Sequence, residues 1–306
     1  MEPLKWSVYF QNPEFMEMTR MTLILPEMEP LVRRWCGVTE GANILDVGCG
    51  TGFFTRLLAR GKEKVTLTGL DREDEFIAYA TEKAREEGYS IRFLEGDALN
   101  LPFPDNTFDV VTSHTFLTSI VDPERCFSEM KRVTKPGGLI ASVTCMSFLP
   151  SAMTLGDYPP ECVWREELHR LMIQVQTAYQ KVSPVQSYAG GLKPSEIPKF
   201  FAKQGMEQVS AYPLGKFNSL SNAAMPEADK RKWIDLYQLS EIKKLDVYMA
   251  LPQMRALFTE EQAARYKELV TLKCDYLRTN IHENAIWEWM GGANLLVTGI
   301  VPKEGD

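Results

Sequence analysis

Three carboxylates, one histidine and three closely set glycines are the parts of this sequence that can do chemistry. Asp46-Val47-Gly48-Cys49-Gly50-Thr51-Gly52 places an acid just ahead of glycines on alternate positions. Glycine opens backbone angles closed to other residues, and a turn lacking Cβ atoms lets a ligand approach the main chain. A helix that starts after such a turn offers free amides to whatever sits there. A dinucleotide turn spaces its glycines as Gly-x-Gly-x-x-Gly, but here the third glycine falls one residue early and Asp46 would repel a pyrophosphate. The pattern therefore disfavours a dehydrogenase and favours a ligand with a cationic amine or sulfonium. Asp71 follows Asp46 by twenty-five positions, a spacing suited to an acid that accepts both hydroxyl protons of a ribose. Asp97 sits in the turn Glu95-Gly96-Asp97-Ala98, a place Asp also takes with no ligand. If the group acted upon is a hydroxyl, its proton must leave, and His114 is the best-placed base; His282, ahead of Glu283, is a weaker choice.

These residues need a frame of strands and helices, and the hydrophobic pattern supplies one. Ile44 to Val47 reads as a buried strand, and the spacing changes to that of a helix at Phe53, Phe54, Leu57 and Leu58. Val65 to Leu70 is a second strand with Asp71 at its end. The helix after it buries Phe76, Ile77, Ala80 and Ala84 and stops at Gly88. Ile91 and Phe93 mark a third strand, and Phe108 to Ser113 a fourth that ends at His114. Asp122 caps a helix with Pro123 in its first turn, and Lys135-Pro136-Gly137-Gly138 turns into a fifth strand, Leu139 to Val143. This alternation fits a parallel, doubly wound sheet, whose strands carry ligands at their carboxyl ends. Pro194 to Gly205 reads as a further helix, Met206 to Tyr212 as a sixth strand and Asn294 to Val301 as the last.

In order and spacing, the glycine turn, Asp71, Asp97 and the Ser113-His114 strand end resemble the class I S-adenosylmethionine-dependent methyltransferases. The likeness covers roughly residues 40 to 146 and is nearest to the small-molecule branch that includes the ubiquinone and menaquinone methyltransferases. It implies a Rossmann-like seven-stranded α/β sheet with an antiparallel last strand, and S-adenosylmethionine as cofactor. It also implies a cofactor site built from Asp46, Gly48, Cys49, Gly50 and Gly52, with Asp71 and Arg72 at the ribose, Asp97 and Ala98 at the adenine, and Ser113 at the crevice. Tyr9 and Arg20, in an N-terminal helical segment, are candidates for the methionine end; their alternative is a packed Tyr and a surface Arg. His114 has an alternative too, touching the cofactor through its main chain. The chain departs from that branch after the fourth strand, where Leu117-Thr118-Ser119 stands in place of frequent histidines. It also lacks the Asn-Pro-Pro-Tyr type of strand end and the Cys-rich stretch found in other branches.

The expected division is an N-terminal helical lid (1–40), a cofactor-binding core (41–146), a helical insertion (147–192), a core helix and strand (193–214), a second helical insertion (215–291) and a last strand with its tail (292–306). In the second insertion Trp233, Leu236 and Tyr237 begin a stripe, Thr259 and Gln262 form a capping box, and Trp287 and Trp289 share a face if that piece is extended. With 306 residues, 44% of them hydrophobic, one domain with insertions is expected. A net charge of -7 disfavours nucleic-acid partners. No apolar run reaches the roughly 18 residues of a membrane span, and the first residues lack the plan of a signal peptide, so a cytoplasmic protein is expected. Six cysteines without a Cys-x-x-Cys pair suit a reducing compartment, and three scattered histidines argue against a metal site. The function expected is methyl transfer by in-line displacement to a small-molecule acceptor in an enclosed pocket. The alternative is a module of the same fold that binds cofactor or a partner protein and transfers nothing. Neither the acceptor nor the oligomeric state is legible in the sequence.

Overall fold

The structure, a computed structural model, describes residues 7, 12–21, 24, 26–61, 63–145, 155–182, 192–216, 226–282, 287–289 and 292–303. It divides into two compact units, one of residues 19–147, 187–216 and 292–306, the other of 1–18, 148–186 and 217–291.

The first unit is built on a seven-stranded sheet in the order β3-β2-β1-β4-β5-β9-β7. Its strands are β1 (Asn43–Val47), β2 (Thr66–Asp71), β3 (Arg92–Glu95), β4 (Phe108–His114), β5 (Thr134–Cys145), β7 (Glu207–Lys216) and β9 (Gly292–Ile300). β1 runs parallel to both β2 and β4, which sets Asp46 beside Gly69 and Thr112. β9 runs antiparallel to both β5 and β7, as the family resemblance implied. Alternate residues bury on opposite faces: Ile44, Val110, Ala141 and Val143 pack with Phe54 and Leu57, while Leu45, Val47, Val111 and Ile140 pack with Phe127 and Met130. Val32, Cys36, Val38 and Ala42 join the former core, so residues ahead of β1 brace the sheet.

Two caps fall where the sequence puts them: Asp122 accepts the Arg125 amide at 3.0 Å, and Gly88 takes φ +77 at its helix end. Asn12 adds another, its side chain accepting the Phe15 amide at 2.8 Å. Lys135 to Gly138, expected as a turn before the fifth strand, lies inside β5 instead. Gly137 takes φ +77 and the β4–β5 register shifts there, because the Gly137 amide donates to the Val301 carbonyl and the Val301 amide to Gly138.

The second unit packs helices α6 (Trp164–Val182), α8 (Glu227–Met249) and α9 (Glu260–Thr279) around Trp233, Leu245, Tyr266, Leu269 and Cys274. Thr259 and Gln262 close the expected capping box on α9. Leu155–Asp157 and Trp287–Trp289 pair as two short antiparallel strands, β6 and β8; the side chains of Trp287 and Trp289 lie outside the described residues.

Between β1 and helix α3 (Phe53–Ala59) the turn is pinned by an arginine that solvent does not reach. Arg56 donates from Nη1 to the Thr51 carbonyl at 2.7 Å and from Nε to Glu87 at 3.0 Å. Glu87 is exposed and keeps Arg60 within 3.8 Å, so the main loss on removing Arg56 is the donor to the buried Thr51 carbonyl. Arg56→Met should therefore lower stability by about 2 kcal/mol. Urea denaturation checks this, and a loss under about 1 kcal/mol would show that packing alone holds the turn.

Candidate functional site

The site is assembled at the carboxyl ends of β3, β2, β1 and β4. Connections leave β1 and β4 in opposite directions along the sheet, which opens a crevice between these neighbours. The turn after β1 runs through left-handed φ at Gly48 (+69), Gly50 (+52) and Gly52 (+72). Its amides, expected to be free, are engaged within the chain: those of Gly48 and Cys49 donate to the Leu70 carbonyl, that of Gly50 to Asp71, and that of Gly52 to Cys49. The space left by the missing Cβ atoms is also taken. A Cβ on Gly48 would lie 2.2 Å from the Phe116 ring, and one on Gly52 would lie 2.7 Å from the Phe93 ring.

Asp46 is wholly buried. Its Oδ2 accepts the Thr55 hydroxyl at 2.6 Å, and its Oδ1 lies 3.2 Å from the Thr112 hydroxyl. Burial raises its pKa to about 7, against the opposing pull of the two hydroxyls. Asp71, half-buried at the end of β2, accepts the Gly50 amide at 2.9 Å through Oδ2 and the Glu73 amide at 3.1 Å through Oδ1. Each oxygen keeps a lone pair for a further donor. Burial raises the Asp71 pKa as well, with the two amides pulling down. Asp97 is exposed; its Oδ1 accepts the Leu99 amide at 2.9 Å, the turn role open to any Asp, and Ala98 beside it is buried.

His114 is buried at the end of β4, its ring 5.1 Å from that of Phe54. Its Nε2 has no partner among the described residues. Burial, and then the charge of Arg20, hold its pKa well below the ordinary 6.5, so the imidazole is neutral at physiological pH. Ser113 points to the other face of the sheet, where its hydroxyl meets that of Ser142 at 3.1 Å. Burial and nearby acids push the Cys49 thiol far above its usual range, which leaves it unreactive. Arg72 is largely exposed, 4.0 Å from Glu73, and Tyr9 lies outside the described residues. Thus the strand ends gather Asp46, the glycine turn, Asp71, Asp97 and His114, while the Ser113 and Arg72 side chains point elsewhere.

Sequence reasoning missed Thr55, Arg56, Thr112, Phe93 and Phe116. The first two carry a readable signal, a polar pair inside the apolar run Phe53-Phe54-Thr55-Arg56-Leu57-Leu58. Among the described residues no group of three or more His, Cys, Asp or Glu side chains is placed to hold a metal ion, and no helix is long and apolar enough to cross a membrane. Cys36, Cys49, Cys126 and Cys162 are free and buried, and Cys274 is buried.

An acid whose folded pKa is raised destabilises the fold once pH passes its unfolded pKa, and the penalty is complete above the folded one. For Asp46 that window runs from 3.8 to about 7. The stability of Asp46→Asn relative to the parent should therefore rise between these limits, by on the order of 4 kcal/mol, and stay level above them. Guanidinium melts across about pH 4 to 8 check this; a difference constant with pH would show that the carboxylate ionises as easily inside the fold as outside.

Known proteins share this fold. A putative methyltransferase from Bacillus halodurans has a TM-score of 0.51 at 16% identity, covering 90% of this chain and 100% of its own. The Haemonchus contortus phosphoethanolamine N-methyltransferase 2, solved with S-adenosyl-L-methionine, has a TM-score of 0.54 at 15% identity, covering 99% of this chain and 61% of its own. At such identities the likeness is one of fold. In sequence, a demethylmenaquinone methyltransferase of Bacillus pumilus (strain SAFR-032) is 34% identical over 182 residues, 58% of this chain and 75% of that protein. The Bacillus subtilis (strain 168) enzyme of the same name is 40% identical over 109 residues, and there the chain spans only 47% of its relative's length. The methyltransferase domain family matches residues 38–205, more than half of the chain, and the chain belongs to that family, the class I S-adenosylmethionine-dependent methyltransferases.

Proposed function

We propose that this chain transfers a methyl group from S-adenosylmethionine to a small-molecule acceptor by in-line displacement. The observation that carries the reading is the row of strand ends: Asp97 after β3, Asp71 on β2, the glycine turn after β1 and His114 on β4. The donor set fits the cofactor, because Asp71 retains acceptor capacity for two hydroxyls and Asp97 Oδ2 for an amine. Asp46 fits a supporting role, tying the start of α3 to β1 and β4 through Thr55 and Thr112. The demethylmenaquinone methyltransferases among its relatives support a small-molecule acceptor.

Bound S-adenosylmethionine supplies a methyl carbon already activated by a sulfonium. The task left to the protein is to hold the acceptor atom about 3 Å from that carbon in a dry site. His114 suits this as a neutral wall. Its buried Nε2 can orient an acceptor by hydrogen bonding, but burial and Arg20 make imidazolium costly, so it is a poor store for a proton.

Calorimetric titration with S-adenosylmethionine and with NADH, followed by a labelled-methyl screen against metabolite extract, tests the reading; binding of NADH alone would overturn it. Asp71→Asn leaves one acceptor oxygen where there were two and removes the charge, so affinity for S-adenosylmethionine should fall by about tenfold or more. Unchanged affinity would remove Asp71 from the ribose. For His114, single-turnover rates should show no rise through pH 6.5, and His114→Asn should slow them less than the roughly hundredfold expected of a lost general base. A larger loss, with the pH profile flattened, would make His114 the base after all.

A further inference from the structure

The Phe116 ring, which covers Gly48, lies where the β1 and β4 ends meet. It rests on Gly48 so closely that a Cβ there would come within 2.2 Å of Cδ2 and 2.4 Å of Cγ. The backbone is bent to put it there. Thr115, a β-branched residue, takes φ +53, a left-handed conformation that such residues avoid and that marks stored strain. The strained peptide is held from both sides: the Thr115 amide donates to the Val143 carbonyl at 2.7 Å, and the Phe116 carbonyl accepts the Ser119 amide at 2.8 Å.

We infer that Phe116 presents its ring face to the sulfonium of S-adenosylmethionine and so distinguishes it from the neutral thioether of S-adenosylhomocysteine. The inference rests on the cofactor reading above. Neighbouring strands lie about 4.8 Å apart, so the ends of β3, β2, β1 and β4 form a row about 14 Å long. In the cofactor the adenine amine and the sulfur lie on opposite sides of the ribose. With Asp97 beyond β3 at the adenine and Asp71 on β2 at the ribose, the sulfur falls toward β1 and β4, where Phe116 covers Gly48. A cation there needs a counterpart. Asp46 is enclosed by Thr55 and Thr112 and His114 is neutral, whereas an aromatic face attracts a cation through its quadrupole and a neutral sulfur far less.

The test is calorimetric titration of the full chain with both ligands. Phe116→Leu should weaken S-adenosylmethionine by about fivefold to thirtyfold and S-adenosylhomocysteine by less than about twofold, while Phe116→Tyr should keep the parent's ratio. Replacing Phe116 with pentafluorophenylalanine keeps the ring's shape on Gly48 and reverses its quadrupole, so it should reproduce the Leu pattern even if the Leu variant folds poorly. Equal losses for both ligands, or no loss for either, would overturn the inference. A parent protein that binds neither ligand would instead overturn the cofactor reading itself.

Discussion

Everything at the crevice depends on a backbone path that few residues can follow. Between Val47 and Phe53 the chain passes three times through left-handed φ, at Gly48, Gly50 and Gly52, and at two of these a side chain would also strike an aromatic ring. Such a turn has little intrinsic stability, so its surroundings must over-determine it. Arg56 holds it from the helix side through the Thr51 carbonyl, Leu70 accepts two of its amides, and Asp71 fixes the Gly50 amide. The acid expected to meet a ribose is thus also part of the scaffold that shapes the turn beside it.

Two buried carboxylates show how neighbours decide a charge. For Asp46 burial outweighs the Thr55 and Thr112 hydroxyls, the Asp71 carboxylate adds to it, and its pKa rises to about 7. In the helical unit burial pushes Glu241 the same way, but Lys244, the Tyr266 hydroxyl at 2.6 Å and Lys273 outweigh it, and the carboxyl ends below its ordinary range. Lys273 is itself settled over the Tyr237 ring at 4.8 Å. Glu241 therefore reads as a satisfied core group. Asp46 is instead a carboxyl whose ionisation costs stability as pH rises toward neutral.

Much of the sheet unit was legible because its signals are local. Strand periodicity, the caps at Gly88 and Asp122, and the glycine spacing each act within a few residues. What eluded reading was set by distant partners. Lys135 to Gly138 carries turn residues, yet the exit of the last strand draws it into β5 as a bulge. Leu155–Asp157 and Trp287–Trp289 become strands only through each other, across more than a hundred residues of chain. Phe116 looks like any loop aromatic until Gly48 is seen beneath it. The neutrality of His114 needs its burial and Arg20, and no spacing rule announces either.

The placement of β9 has a consequence for how this protein comes into being. β5 and β7 do not bond to each other; both are zipped to β9, formed by residues 292–300. Until that segment has left the ribosome, β5 presents an open edge on the side away from β4, and β7 has no strand to pair with at all. Unpaired strand edges invite association with other chains, and non-local pairing is slow. The crevice-forming strands β1 to β4 pair with one another without β9, whereas β7 pairs with β9 alone, so the sheet's far half is complete only when residues 292–300 are in place.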